Sequence, residues 1–162
     1  MSEVSDKGLE TLQVWQQAVA LAAHVCKDIL PLLPVEEKWA LISQLRRAVQ
    51  SVPANIAEGY GRYYYQDSVR FCYIARGSLE EVFSHLTLSH QLGYLSQGVY
   101  LSLTGDIQNL RFKLNGYIAF LKRSKRGMNE PGNKLSTHDD LALYEVNDRT
   151  EEILPGSESQ KS

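Results

Sequence analysis

Apolar residues recur along most of this chain at alternating steps of three and four, and no stretch alternates with period two. That spacing marks amphipathic helices rather than strands. A first helix, A, carries Leu12, Trp15, Val19, Ala22, Cys26, Ile29 and Leu33 on one stripe, and Pro31 and Pro34 end it, because proline lacks the backbone donor and clashes with the preceding turn. Pro34 then opens helix B, with Glu36 and Glu37 set against the positive end of the helix dipole. The stripe of B is Leu41, Leu45, Ala48, Val52 and Ile56, and Gly59 or Gly61 stops it. Helix C runs from about residue 67 to 92 with Cys72, Ala75, Leu79, Val82 and Leu86 inside, and stops at Gly93. Helix D starts from Ser96 as N-cap and carries Leu103, Ile107, Leu110, Leu114, Tyr117 and Leu121. Four long helices with short connections predict an all-α fold, an antiparallel up-down four-helix bundle.

Two positions break the helical rule. Pro53 lies inside helix B and frees the carbonyl of Val49, a loss of about 3 kcal/mol unless a kink or a nearby donor offsets it. Asn55 is the candidate donor. Gly77 lies in the middle of helix C, where it costs up to about 1 kcal/mol relative to alanine. A close approach by another helix accounts for that cost, and the Pro53 kink is its expected neighbour. Outside the inner stripes remain Trp39, Ile42, Val49, Phe71, Phe83, Tyr100, Phe112 and Ile118. One small bundle does not cover that much bulky apolar surface, so a homo-oligomer is expected.

The chain has 162 residues, 43% hydrophobic and 22% charged, which suits one soluble domain and excludes collagen-like, disordered and disulfide-stapled classes. Glu3, Asp6 and Glu10 stand where a secretory leader is basic then apolar, and no apolar run approaches a membrane span, so no membrane association is expected. Cys26 and Cys72 are far apart and belong to no Cys-x-x-Cys pair, which fits a reducing cytoplasm. The formal charge of −2 hides a division: residues 9–126 hold 13 Lys/Arg against 9 Asp/Glu, and residues 127–162 hold 3 against 8. Turn formers from Met128 to Asn133 and a small polar end complete the contrast. The expected organisation is a flexible N-terminus (1–8), a bundle domain (9–126) and an acidic, mostly disordered tail (127–162).

Candidate chemistry is sparse. Tyr60, Arg62, Tyr63, Tyr64 and Tyr65 cluster between helices B and C. Rings interleaved with arginine serve either as a stacking platform for unpaired bases or as a subunit contact. Lys122, Arg123, Lys125 and Arg126 close helix D, where cations complement the dipole, and with Arg62, Arg70 and Arg76 they form a candidate basic surface. A di-iron bundle needs Glu-x-x-His pairs. Here Glu81 and His85 are four apart, His24 and Cys26 two apart, and no second carboxylate–histidine pair exists. No phosphate loop or nucleophile elbow appears. The expectation is no catalytic residue, no metal, no cofactor and no enzymatic activity.

The densest signal is the stretch Gln44-Leu45-Arg46-Arg47-Ala48-Val49-Gln50-Ser51-Val52-Pro53-Ala54-Asn55-Ile56-Ala57-Glu58-Gly59, with Ala75-Arg76-Gly77-Ser78-Leu79-Glu80-Glu81 on helix C. With Trp15 and Ala18 in helix A, the entry from Pro34 to Glu37 and Leu92-Gly93-Tyr94, it closely resembles the bacterial four-helix bundle family encoded by intervening sequences of 23S ribosomal RNA genes, formerly labelled a ribosomal protein. The resemblance implies an up-down bundle assembled into a ring-like homopentamer, with no known enzymatic activity. Relatives in that family include accessory proteins of diversity-generating retroelements, so RNA or another nucleic acid and a reverse transcriptase are the implied partners. It also marks Arg46, Arg47, Asn55, Glu58 and Glu81 as a motif. Around Pro53 and Gly77 these residues form either a hydrogen-bonded structural network or a ligand or RNA site. Two features depart from the pattern: the retroelement proteins are strongly basic whereas this chain has a pI near 6.1, and many family members end close to helix D.

Overall fold

The structure, a computed structural model, describes residues 8–128. The expected flexible N-terminus (1–8) and acidic tail (127–162) lie outside that range except for Gly8, Gly127 and Met128. Among the described residues the regular structure is entirely helical, with four α-helices and no strand: α1 (Gln13–His24), α2 (Leu41–Tyr60), α3 (Tyr65–Gln91) and α4 (Gln97–Ser124). Helices α1 and α3 each pack against both α2 and α4, so the four surround one core. No helix among the described residues is long and apolar enough to cross a membrane.

Helix A ends where its prolines require, but not as a plain α-helix. After His24 the backbone opens into a π-turn (Val25–Ile29), tightens into a 3₁₀ turn containing Pro31 (Leu30–Leu32) and becomes extended at Leu33. Its buried stripe is Val14, Ala18, Leu21, Val25 and Ile29, while Val19 is exposed and Trp15, Ala22 and Cys26 are only partly buried. This corrects the expected stripe by one position. Both series keep the three-four rhythm about 100° apart around the helix, and only contact with α2 and α4 selects between them. The π-turn carries an extra residue, which brings Ile29 and Leu33 back into phase with the core.

Helix B is also shorter than expected. Pro34 opens a 3₁₀ turn (Val35–Trp39), Ala40 breaks the chain direction at φ −113° and ψ −104°, and α2 begins at Leu41. The Glu37 carboxylate accepts the Leu41 amide at 3.4 Å and the Tyr94 hydroxyl at 3.1 Å. An acid at the start of α2 is favourable against the helix dipole. This hydrogen bond also pushes up the Tyr94 phenol, with help from partial burial and from the charges of Glu37 and Glu36.

The expected stripes of α2 and α3 are buried in full, and Leu103, Ile107, Leu110 and Leu114 of α4 join them, with Tyr117 and Leu121 at the edge. Each fully buried Leu, Ile or Val contributes about 1.5–3 kcal/mol. Val49 and Ile118, expected to be surplus surface, belong to this core as well. Trp39 and Phe112 do not, being 84% and 82% exposed. Helix α3 stops as its sequence requires: Gly93 adopts φ +78°, its amide reaches His90 and that of Tyr94 reaches Ser89, both at 2.9 Å. Ser96 caps α4 by accepting the Val99 amide at 3.3 Å.

Candidate functional site

Pro53 sits inside α2 as expected, but the local repair differs from the one anticipated. The Asn55 amide donates to the Ser51 carbonyl at 2.8 Å and to Ser51 Oγ at 2.9 Å, not to Val49. Ser51 Oγ lies 2.9 Å from Ser78 Oγ, which donates to the Ile74 carbonyl at 3.1 Å. A consistent proton order follows: Asn55 to Ser51, Ser51 to Ser78, Ser78 to the backbone of α3. This relay ties α2 to α3 with every hydroxyl proton used. Ser51 and Ser78 were not among the expected site residues. Their signal was present, as small polar residues beside the apolar stripes of two facing helices.

The rest of the motif does not assemble in this chain. Arg46 and Arg47 are exposed on α2, since one and two steps of 100° beyond buried Leu45 turn them away from the core. Glu58 is exposed and pairs with Arg62 one turn later. Glu81 is exposed on α3, 3.6 Å from His85 Nε2. Gly77 is not a close-approach position either, because a Cβ there would meet nothing within 4 Å. The close approach belongs to Gly59, where a Cβ would stand 2.9 Å from the Ser68 carbonyl and 3.0 Å from Phe71 Cβ. Gly59 lets the last turn of α2 lie against the first turn of α3.

A second assembly lies where the α2–α3 turn meets the end of α4. The Arg126 carbonyl accepts the Tyr65 amide at 3.1 Å, and the Arg126 guanidinium lies 5.2 Å from the Tyr63 ring centre. Tyr63, 49% exposed, meets Tyr64 edge to face at 5.3 Å. Further along the seam, the Tyr73 ring has Arg76 at 4.7 Å and Lys122 of α4 at 5.5 Å. Arg76 also donates to the Asn115 side chain at 3.3 Å. One turn on, Arg111 grips Glu80 with two hydrogen bonds of 2.6 and 2.8 Å and lies 5.8 Å from the Phe83 ring. Arg62 covers Phe71 at 4.9 Å and flanks a shallow groove of about 470 Å³ with Ala54, Ala57, Glu58 and Gly61.

The structure therefore gathers Tyr63, Tyr64, Tyr65, Arg126, Arg76 and Lys122 along one side and adds Tyr73, which the sequence reading did not single out. Arg70, Arg123 and Lys125 are exposed. Arg62 and Arg111 have carboxylate partners, whereas Arg76, Lys122 and Arg126 form no ion pair among the described residues. One cation lies against the Tyr63 ring and two lie near the Tyr73 ring, each contact worth about 0.5–1 kcal/mol at an exposed site. A base stacking on Tyr73 would return about 1–3 kcal/mol in competition with those contacts.

Beneath this seam, burial raises the Tyr117 phenol, with Cys72 and Tyr60 adding to the effect and Arg126 opposing it, to about 12. Burial likewise pushes the Cys72 thiol up to about 12, which makes it a packing group and not a nucleophile near neutral pH. No group of three or more His, Cys, Asp or Glu suited to a metal occurs among the described residues.

Residues 10–116 match the family model described as 23S rRNA-intervening sequence protein. The chain belongs to that family. The match takes in Pro53, the Asn55 relay and Gly77, and it stops before Lys122 and Arg126, so the α4 end of the cation seam lies beyond the part shared with the 23S rRNA-intervening sequence family model. Among solved structures, the chain is similar to a protein of unknown function from the S23 ribosomal protein family of Bacteroides thetaiotaomicron, with 22% identity and a TM-score of 0.59, over 65% of this chain and 97% of that one. That likeness concerns the fold. No curated protein matches the chain.

Proposed function

We propose that this 23S rRNA-intervening sequence protein is a non-enzymatic, oligomeric accessory protein of the cytoplasm that associates with RNA or another nucleic acid, a reverse transcriptase being a further candidate partner. The observation that carries the reading is the seam of cations held on tyrosines, in which Arg76, Lys122 and Arg126 stand without carboxylate partners among the described residues. Such a surface attracts polyanions. An antiparallel up-down bundle is the architecture proposed for it, supported by the closeness of Gly59 to Ser68 across the α2–α3 turn and of Tyr65 to Arg126 at the α3 start and α4 end.

Binding of a labelled RNA to the full-length chain, followed by fluorescence anisotropy across a salt series, tests the nucleic-acid reading. Affinity should fall steeply with salt as phosphate contacts release counterions. No binding above that of an unrelated acidic protein overturns it and leaves a structural or protein-interaction scaffold. Exposed Trp39 and Phe112 support self-association in either case. The homopentamer proposed from the family pattern predicts five times the monomer mass by light scattering, and a monomer at micromolar concentration refutes the oligomer.

A further inference from the structure

Tyrosine next to arginine reads in sequence as a platform for bases or as a subunit contact, and the arrangement along the α3–α4 seam suits a third use. Tyr73 carries Arg76 at 4.7 Å and Lys122 at 5.5 Å, and Tyr63 carries Arg126 at 5.2 Å. The cations come from different elements: Arg76 from α3, Lys122 from α4, and Arg126 from the segment after it. Arg76 is held a second time by Asn115. Flexible cations fixed on rings lose less freedom on meeting an anion, so the seam is organised in advance for charge.

We propose that the solvent side of the α3–α4 seam reads the phosphate backbone of a nucleic acid, with Tyr73 acting as a positioning residue that presents Arg76 and Lys122. This deepens the nucleic-acid reading above and rests on it. The consequence is recognition that ignores both sequence and strandedness, because phosphates are common to single strands and duplexes. A stacking platform requires unpaired bases instead.

The test measures the full-length protein against a single-stranded RNA, a duplex of the same sequence, and long-chain inorganic polyphosphate, which has no bases, each over a salt series. Phosphate reading predicts duplex binding comparable to single-strand binding and competition by polyphosphate. Arg76→Gln and Lys122→Gln should each weaken both RNA forms by the same factor and lower the duplex salt slope by about 0.9. Tyr73→Phe should keep wild-type binding and Tyr73→Leu should weaken binding to both RNA forms and to polyphosphate. The two cation variants, at half-buried Arg76 and exposed Lys122, keep the test valid should Tyr73→Leu fail to fold. Binding confined to single strands, untouched by polyphosphate, overturns the inference while the nucleic-acid reading survives. Polyphosphate binding without RNA binding overturns that reading and leaves a phosphate-binding seam. Binding of none of the three overturns both.

Discussion

Helix α3 faces two neighbours in opposite ways. Against α2 it uses small groups: Gly59 against the Ser68 backbone, Ser51 against Ser78, and Ala48 and Ala75 in the buried stripes. Against α4 it uses long ones at the surface, with Glu80 gripping Arg111, Arg76 reaching Asn115, and Lys122 reaching Tyr73. Short side chains let backbones approach and leave little room for adjustment, so the α2–α3 contact is the more extensive of the two. Long charged side chains bridge a seam through water and can exchange partners. The first contact is suited to holding the fold, and the second to meeting something outside it.

Alkaline pH should break the α3–α4 side with the largest effect. Cys72 and Tyr117 both have protonation equilibria displaced upward to about 12 in the folded chain, against 9.0 and 10.0 for the unhindered groups. Above pH 9 the unfolded chain releases these protons first, so the folded state binds more of them and stability falls as pH rises. It should be intact below pH 9 and decline from there to about 12. With each unit of displacement equivalent to about 1.4 kcal/mol, Cys72 alone accounts for a loss on the order of 4 kcal/mol. Urea midpoints measured from pH 7 to 11 check this, and Cys72→Ala should flatten the early part of the decline. A midpoint constant to pH 11 would count against it.

The α2–α3 side should be most sensitive at Gly59. Gly59→Val forces branched atoms into a space where even a Cβ lies 2.9 Å from a backbone carbonyl. Overpacking of this kind should lower stability by about 3 kcal/mol, read as the urea midpoint at unchanged slope. Asn55→Ala removes the donor at the head of the Ser51–Ser78 relay and should cost about 1–2 kcal/mol. Thermal unfolding of this variant beside Ser78→Ala should show non-additive losses, because the relay acts as a unit.

Gly77→Ala sharpens the contrast in the other direction. With nothing near its Cβ position, alanine should stabilise an isolated chain by about 0.5–1 kcal/mol through helix propensity. A loss of stability together with a drop in mass by light scattering would place Gly77 at a contact between subunits. The smallest effect belongs to Glu80→Gln, which weakens the pair with Arg111 at half-exposed positions. It should cost about 0.2–1 kcal/mol at low salt and close to nothing at 1 M salt.

What could be read in advance follows from how each feature is encoded. The stripes of α2, α3 and most of α4 were legible because only one series in each segment is apolar. Helix A held two apolar series one residue apart, and spacing carries no information about which one faces the other helices. The Pro53 position was legible and its repair was not, since the Asn55 amide chose between carbonyls only a few ångströms apart. Gly77 and Gly59 look alike in sequence, and which glycine a neighbour approaches depends on where the helices cross. The charged motif residues read in sequence as either a network or a ligand site, and Arg46, Arg47, Glu58 and Glu81 are exposed once the apolar stripes are fixed.

The sequence by itself determined the four helical segments, the stop of α3 at Gly93 and the start of α4 at Ser96, the core of α2 and α3, and the family, because these rest on local chemistry and on spacing along a single segment. Only the tertiary structure decided that Arg76 and Lys122 would both meet the Tyr73 ring and that Arg126 would cover Tyr63. Those residues lie up to one helix-pair apart in the chain, and no local rule relates them. Packing sets the angle of each helix about its axis, and that angle decides which long side chains reach across the seam.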